Sequence, residues 1–294
     1  MKIVRASVLG FCSGVRRAVD MAMQISTAEC RRVYTLGPLI HNPQVLETLE
    51  KRGLICLKEG EIPPEPEKST VIIRAHGVSP AVEKSLARLG ARIVDATCPH
   101  VRKSQNKALY YAEKGYRIFL AGEKNHGEIA GIRGYAEACP FSACFVVGSP
   151  GEAGEAAAEL HCKEPKANVA LIGQTTFSVA EYQAIEAAIR KYFPGLITEN
   201  SICGATDDRQ KALRELCGKV DAIVVAGGKK SSNTGRLLSL ARELGKPAWL
   251  VETPEEIWKV FSYETRPYET VGLCAGASTP DGIIDEIEQK MAFF

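Results

Sequence analysis

The pattern of hydrophobic and polar positions repeats one plan three times. An apolar run ends on a small-residue turn carrying a cysteine, and a helix-length amphipathic stretch follows. The three leads are KIVRASVLGFC to Cys12, ARIVDATC to Cys98 and GLITENSIC to Cys203. Helices are predicted over 13–28, 99–114 and 204–218. Next come the apolar runs RRVYTLG, YRIFLAG and DAIVVAGG. They end on Gly37, Gly122 and Gly227, which fall 25, 24 and 24 residues after their cysteines. That regularity marks an internal repeat.

Each of these strands opens into a polar loop. His41, His126 and Ser231 lie 29, 28 and 28 residues after Cys12, Cys98 and Cys203. Helical patterns follow in PQVLETLEKRG, EIAGIRGYAEA (weakly) and TGRLLSLARELG. Second strands are predicted in LICLKE, ACFVVGS and PAWLVE. Third strands, in VIIRAHG, VALIGQTT and VGLCAGAS, run out at His76, Thr175-Thr176 and Ser278. Each unit closes on a helix, and its fourth strand leads to the next cysteine. The third unit has no successor, so KIVR either starts unit one or docks on unit three. Strands alternating with helices predict an α/β fold of parallel sheets. Three similar units, 1–98, 99–203 and 204–294, would take a pseudo-three-fold, trefoil-like arrangement around a central cavity. Ligands bind beyond the carboxyl ends of such strands. In all three units Cys, His, Ser, Thr, Asn and Glu collect there.

Composition narrows the class. The 294 residues are 45% hydrophobic and 24% charged, with net charge +2. Nothing in that balance argues for nucleic acid or an anionic membrane as partner. No apolar run approaches the roughly 20 residues of a membrane span. A cytoplasmic protein is expected, and ten cysteines are many for one. Disulfides are disfavoured in that compartment, which points some of the cysteines to metal or redox chemistry. No Cys-x-x-Cys pair is present. Cys139 and Cys144 could share a metal, but nothing nearby completes a site. Cys30, Cys56, Cys162, Cys217 and Cys274 have no equivalents in register and read as packing or surface residues.

Helix N-termini favour a thiolate, and three converging thiolates suit a soft metal. Zinc usually takes four protein ligands, whereas iron–sulfur clusters are held by cysteine thiolates. Three equivalent cysteines match three corners of a cubane and leave its fourth iron open. The Ser, Asn, Thr and Gly loops at helix starts suit an anion. His41, His76, His126, Ser231, Ser232, Asn233 and Ser278 supply donors. His100 and His161 stand outside this register. GGKKSSNTG is not a Walker loop, and no Gly-x-Gly-x-x-Gly fingerprint occurs. Glu128 is either a proton donor in the polar loop or a cap on the following helix.

Read in order, GFCSGVRRAV, GPLIHNPQV, RAHGVSP, DATCPHV, KNHGE, QTTFSV, CGATDDRQ, GGKKSSNT and AGASTP resemble the LytB family of 4-hydroxy-3-methylbut-2-enyl diphosphate reductases. The likeness covers nearly the whole chain. It implies a [4Fe-4S] cluster on Cys12, Cys98 and Cys203, with the open iron facing the substrate hydroxyl. It implies that His41, His76, His126, Ser231, Ser232, Asn233 and Ser278 hold a diphosphate. Glu128 would give the proton, and Thr175 would assist at the hydroxyl end. The implied reaction is two-electron reductive dehydration to isopentenyl and dimethylallyl diphosphates, fed by a ferredoxin- or flavodoxin-type donor. This chain departs at Gly127, where proline is frequent, at Lys230, where asparagine is, and at Gly204, where a larger residue is. Outside that class stand an iron–sulfur carrier or redox sensor without a substrate, and a structural zinc protein.

Overall fold

The computed structural model describes residues 1–28, 31–58, 60–140, 142–261 and 268–294. Cys30 lies outside the described residues. Among the described residues, twelve strands form three four-stranded sheets. The first holds β2 (Arg32–Leu36), β3 (Ile55–Leu57), β4 (Ser69–Ile73) and β5 (Arg92–Asp95), in the order β3-β2-β4-β5. The second holds β6 (Arg117–Ala121), β7 (Ala143–Val147), β8 (Val169–Gly173) and β9 (Ile197–Thr198), in the order β7-β6-β8-β9. The third holds β10 (Ala222–Ala226), β11 (Ala248–Val251), β12 (Thr270–Ala275) and the N-terminal β1 (Lys2–Arg5), in the order β1-β12-β10-β11. Every pairing is parallel.

The sheets therefore share one order: second, first, third, fourth. In the third, β1 takes the fourth place, with Lys2 opposite Thr270 and Arg5 opposite Leu273. The N-terminal strand docks on the third sheet. Central strands are buried along their whole length, as β4, β8 and β10 show. Such strands carry continuous apolar runs because helices cover both faces. In β6, Phe119 and Ala121 pack on one side, with Ile185 and Ile189, while Ile118 and Leu120 pack on the other, with Ile129 and Ile132.

A helix follows each lead cysteine: α1 (Ser13–Ala28), α4 (Pro99–Glu113) and α8 (Gly204–Cys217). Helices α2 (Pro43–Lys51), α5 (Gly127–Ala136) and α9 (Ser232–Glu243) follow the first strand of each sheet. Helices α3 (Pro80–Arg88), α7 (Val179–Arg190) and α11 (Asp281–Met291) close the units. Two α-helices lie outside the sequence expectation. A full helix, α6 (Pro150–Lys163), joins β7 to β8, and a short α10 (Ile257–Val260) precedes β12. In α6 the apolar stripe is only Ala153, Ala157 and Leu160, so periodicity is faint. Its start was encoded instead: Ser149 accepts from the Glu152 N–H, and Pro150 opens the helix. Strand β9 is shorter than GLITENSIC promised. Past it, the Ser201 hydroxyl accepts from the Gly173 N–H at 2.6 Å in place of a ladder bond.

The chain divides into two compact units. One comprises Met1–Arg16, Ile40–Thr48 and Gly204–Phe294, with the third sheet. The other comprises Arg17–Leu39 and Leu49–Cys203, with the first and second sheets. Among the described residues no helix is long and apolar enough to cross a membrane.

Candidate functional site

One local arrangement recurs at the three lead cysteines. The Cys98 N–H donates to the Ala75 carbonyl at 2.9 Å, Cys203 to Thr175 at 2.9 Å and Cys12 to Ala277 at 3.0 Å. Each acceptor lies two residues past the end of a third strand, β4, β8 or β12. Each cysteine immediately precedes a helix and is partly buried. Backbone bonds to rigid strand ends thus fix where the three thiols leave the chain. Arg102, one turn into α4, steadies the Cys98 turn by donating to Asp95 at 2.6 Å. Arg209 does the same for Cys12, donating to the Gly10 carbonyl at 2.5 Å.

In the unit holding the first two sheets, contacts run without a break from Cys98 to Cys203. Ala75, bonded to Cys98, is followed by His76. The His76 ring meets the His126 ring edge-on, with centroids 5.3 Å apart. His126 caps α5, its Nδ1 accepting from the Glu128 N–H at 3.2 Å. A neutral imidazole that accepts at Nδ1 carries its proton on Nε2. The Glu128 carboxylate, 1% exposed, accepts from the Thr175 N–H at 2.6 Å and the Thr175 hydroxyl at 2.9 Å. Thr175 in turn accepts from Cys203. Burial pushes the Glu128 carboxyl up to about 7, and the two Thr175 bonds only partly offset it. The helix-cap reading of Glu128 fails, because His126 is the cap and the carboxylate turns to Thr175.

In the other unit the residues are hydroxyls and amides. Ser231 caps α9, accepting from the Thr234 N–H. The Ser278 hydroxyl lies 3.5 Å from that of Ser231 and donates weakly to the His41 carbonyl at 3.4 Å. Gly228 packs on that same carbonyl so closely that a Cβ would collide with it. Asn233 and Asn42 are buried, and the amide nitrogen of each has no hydrogen-bond partner. A buried donor without a partner is costly and marks a place for an acceptor. Ser232 stands beside them in the first turn of α9. Cys12 joins this group through Ala277, the neighbour of Ser278.

The arrangement has known relatives. The family model described as LytB protein matches residues 3–292. The chain belongs to the LytB family. A Treponema denticola protein named 4-hydroxy-3-methylbut-2-enyl diphosphate reductase is 43% identical, over 99% of this chain and 99% of the relative. An Aquifex aeolicus protein of that name is 36% identical, over 98% and 95%. Among solved structures, the Plasmodium falciparum E-1-hydroxy-2-methyl-but-2-enyl-4-diphosphate reductase aligns at TM-score 0.85 and 27% identity, over 98% of this chain and 87% of that one. The structure of an (E)-4-hydroxy-3-methyl-but-2-enyl diphosphate reductase, the terminal enzyme of the non-mevalonate pathway, aligns at TM-score 0.70 and 36% identity, over 100% of this chain and 99% of that one.

Every site residue named from the sequence falls at a strand end or helix start in this LytB-family chain. Sequence reading passed over Asn42, although it sits between His41 and Pro43, a helix-starting proline, and caps α2 through Val45 at 3.1 Å. The other described cysteines pack or face solvent. Cys217 and Cys274 are buried in the core, while Cys56 and Cys162 are exposed. Cys139 and Cys144 pack beside Ile132 and Tyr135, and burial pushes the Cys144 thiol up to about 12. His161 packs against Phe193.

Proposed function

We propose that this chain is an iron–sulfur reductase that converts 4-hydroxy-3-methylbut-2-enyl diphosphate to isopentenyl and dimethylallyl diphosphates. Two electrons and two protons enter, the carbon–oxygen bond to the hydroxyl breaks, and water leaves. The observation that carries this reading is the buried Glu128–Thr175 pair. It is an acid poised near neutrality, and Thr175, which binds its carboxylate, also accepts from the Cys203 N–H. An electron carrier has no use for such an acid.

The donor set fits a cluster. Three thiols, each partly buried and each held through its backbone N–H, are the soft ligands that iron–sulfur clusters take. Cys12, Cys98 and Cys203 would hold a [4Fe-4S] cluster with one iron lacking a protein ligand. When bound, it supplies electrons and a Lewis-acid position for the substrate hydroxyl. A ferredoxin- or flavodoxin-type carrier is its electron source.

The protein's own residues do the rest. Ser231, Ser232, Asn233 and Ser278, with the α9 N-terminus, hold the diphosphate through hydroxyl, amide and backbone donors. His41, His76 and His126 add ring donors. The buried Asn42 amide adds another. Glu128, about half protonated near pH 7 and more so below, gives its proton at the hydroxyl end, where Thr175 orients both the carboxyl and the departing group. Burial of Glu128, His126 and Thr175 keeps water from competing for that proton.

The direct test is turnover of the hydroxy diphosphate under strict anaerobiosis with dithionite-reduced viologen. Product formation by wild type, with Glu128→Gln retaining the cluster absorbance but losing most turnover, is the expected result. A variant with near-normal turnover removes Glu128 from the mechanism.

A further inference from the structure

Position 127 is the first residue of α5, between the cap His126 and the acid Glu128. Its backbone does not require glycine, since no positive φ is present there. The space does. A Cβ on Gly127 would stand 2.5 Å from Arg74 Nη2 and 2.8 Å from Arg74 Cζ. A Cβ on Gly37 would stand 2.9 Å from Arg74 Nη1. The Arg74 guanidinium is therefore wedged between two glycines. One ends the run of β2, and the other lies in the turn after β6.

The repeat shows what is special here. Arg74 follows the last residue of β4, and Gln174 holds the same place after β8. Gln174 stays with its own sheet, its side-chain oxygen accepting from the Glu123 N–H at 3.0 Å. Arg74 is longer, passes Gly37 beside its own sheet and reaches the turn that follows β6 of the second sheet. The segment Arg74-Ala75-His76 then meets the 126–128 turn twice, through the guanidinium on Gly127 and through the His76–His126 ring contact. The same segment holds the Cys98 N–H.

We propose that Arg74 is the positioning residue for the His126–Gly127–Glu128 turn, its guanidinium seated on Gly127 and fixing the buried acid relative to His76. This rests on the reductase reading. Arg74 also lines a cavity of about 250 Å³ with Gly37 and Gly127, which gives the guanidinium room to swing aside. A Cβ at 127 accordingly displaces Arg74 rather than unfolding the turn.

A double-mutant cycle in viologen-driven turnover tests it, with Arg74→Ala, Gly127→Ala and the pair. Displacing an acid by about an ångström costs up to about 100-fold, so Arg74→Ala is expected to lower kcat about tenfold or more with KM within about threefold. Gly127→Ala lowers kcat for the same reason, and the double variant is no slower than Arg74→Ala alone. Arg74→Lys recovers part of kcat. Losses that multiply in the double variant, or an unchanged kcat in Arg74→Ala, overturn the proposal. If wild type itself does not turn over, the reductase reading fails. The same cycle in thermal midpoints then decides the wedge: non-additive shifts support it and additive shifts overturn it.

Discussion

Glu128 has its properties from one neighbour and from burial. Desolvation raises its carboxyl from an ordinary 4.5 to about 7. Folding thus favours the protonated form. Its contribution to stability is present in full below pH 4.5 and is lost as pH rises through 7, a change on the order of 3 kcal/mol. Thermal midpoints between pH 5 and 8 should fall with pH in wild type and fall less in Glu128→Gln. On the proposed mechanism the protonated acid is the competent form in turnover, so kcat should decline above about pH 7. Thr175→Val removes a hydroxyl that bonds the charged form, and the alkaline limb should then move to higher pH. A limb that stays in place would mean that another group controls it. The chain's sequence showed Glu128 and Thr175 in the right loops. It could not show that they bond each other, because 47 residues separate them.

The elements carry the repeat. Strand ends and helix starts were legible because buried parallel strands are apolar along their length and end abruptly on glycine or polar residues. Where elements were missed or faint, packing explains why. Helix α5 has a weak pattern because its glycines are close-approach points: a Cβ on Gly131 would crowd Gln105, and one on Gly134 would strike Ser79. Helix α6 buries mostly alanine. Asn42 was readable as a cap from the Pro43 that follows it, but its unpartnered amide is visible only in three dimensions. Asn42→Asp separates the two roles. Aspartate caps a helix as well as asparagine does, so the melting temperature should hold. The amide donor is replaced by a negative charge, so diphosphate affinity by calorimetry should fall about tenfold or more. A lost melting temperature with retained affinity would reduce Asn42 to a cap.

For the whole molecule, the order of strands matters most at the N-terminus. Strand β1 belongs to the third sheet, and it feeds the turn that carries Cys12. Deleting residues 2–5 would uncover the edge of β12 and leave Cys12 without its lead. Exposed strand edges associate. The truncated chain should self-associate on size exclusion and bind less iron; a monomer with normal iron would show that β1 is dispensable. The proposed function requires that Cys12, Cys98 and Cys203 hold one cluster. Iron and acid-labile sulfide analysis of anaerobically prepared protein tests this most directly. About four of each per chain is the result expected of a [4Fe-4S] cluster. Zinc without sulfide, or no bound metal at all, would contradict it.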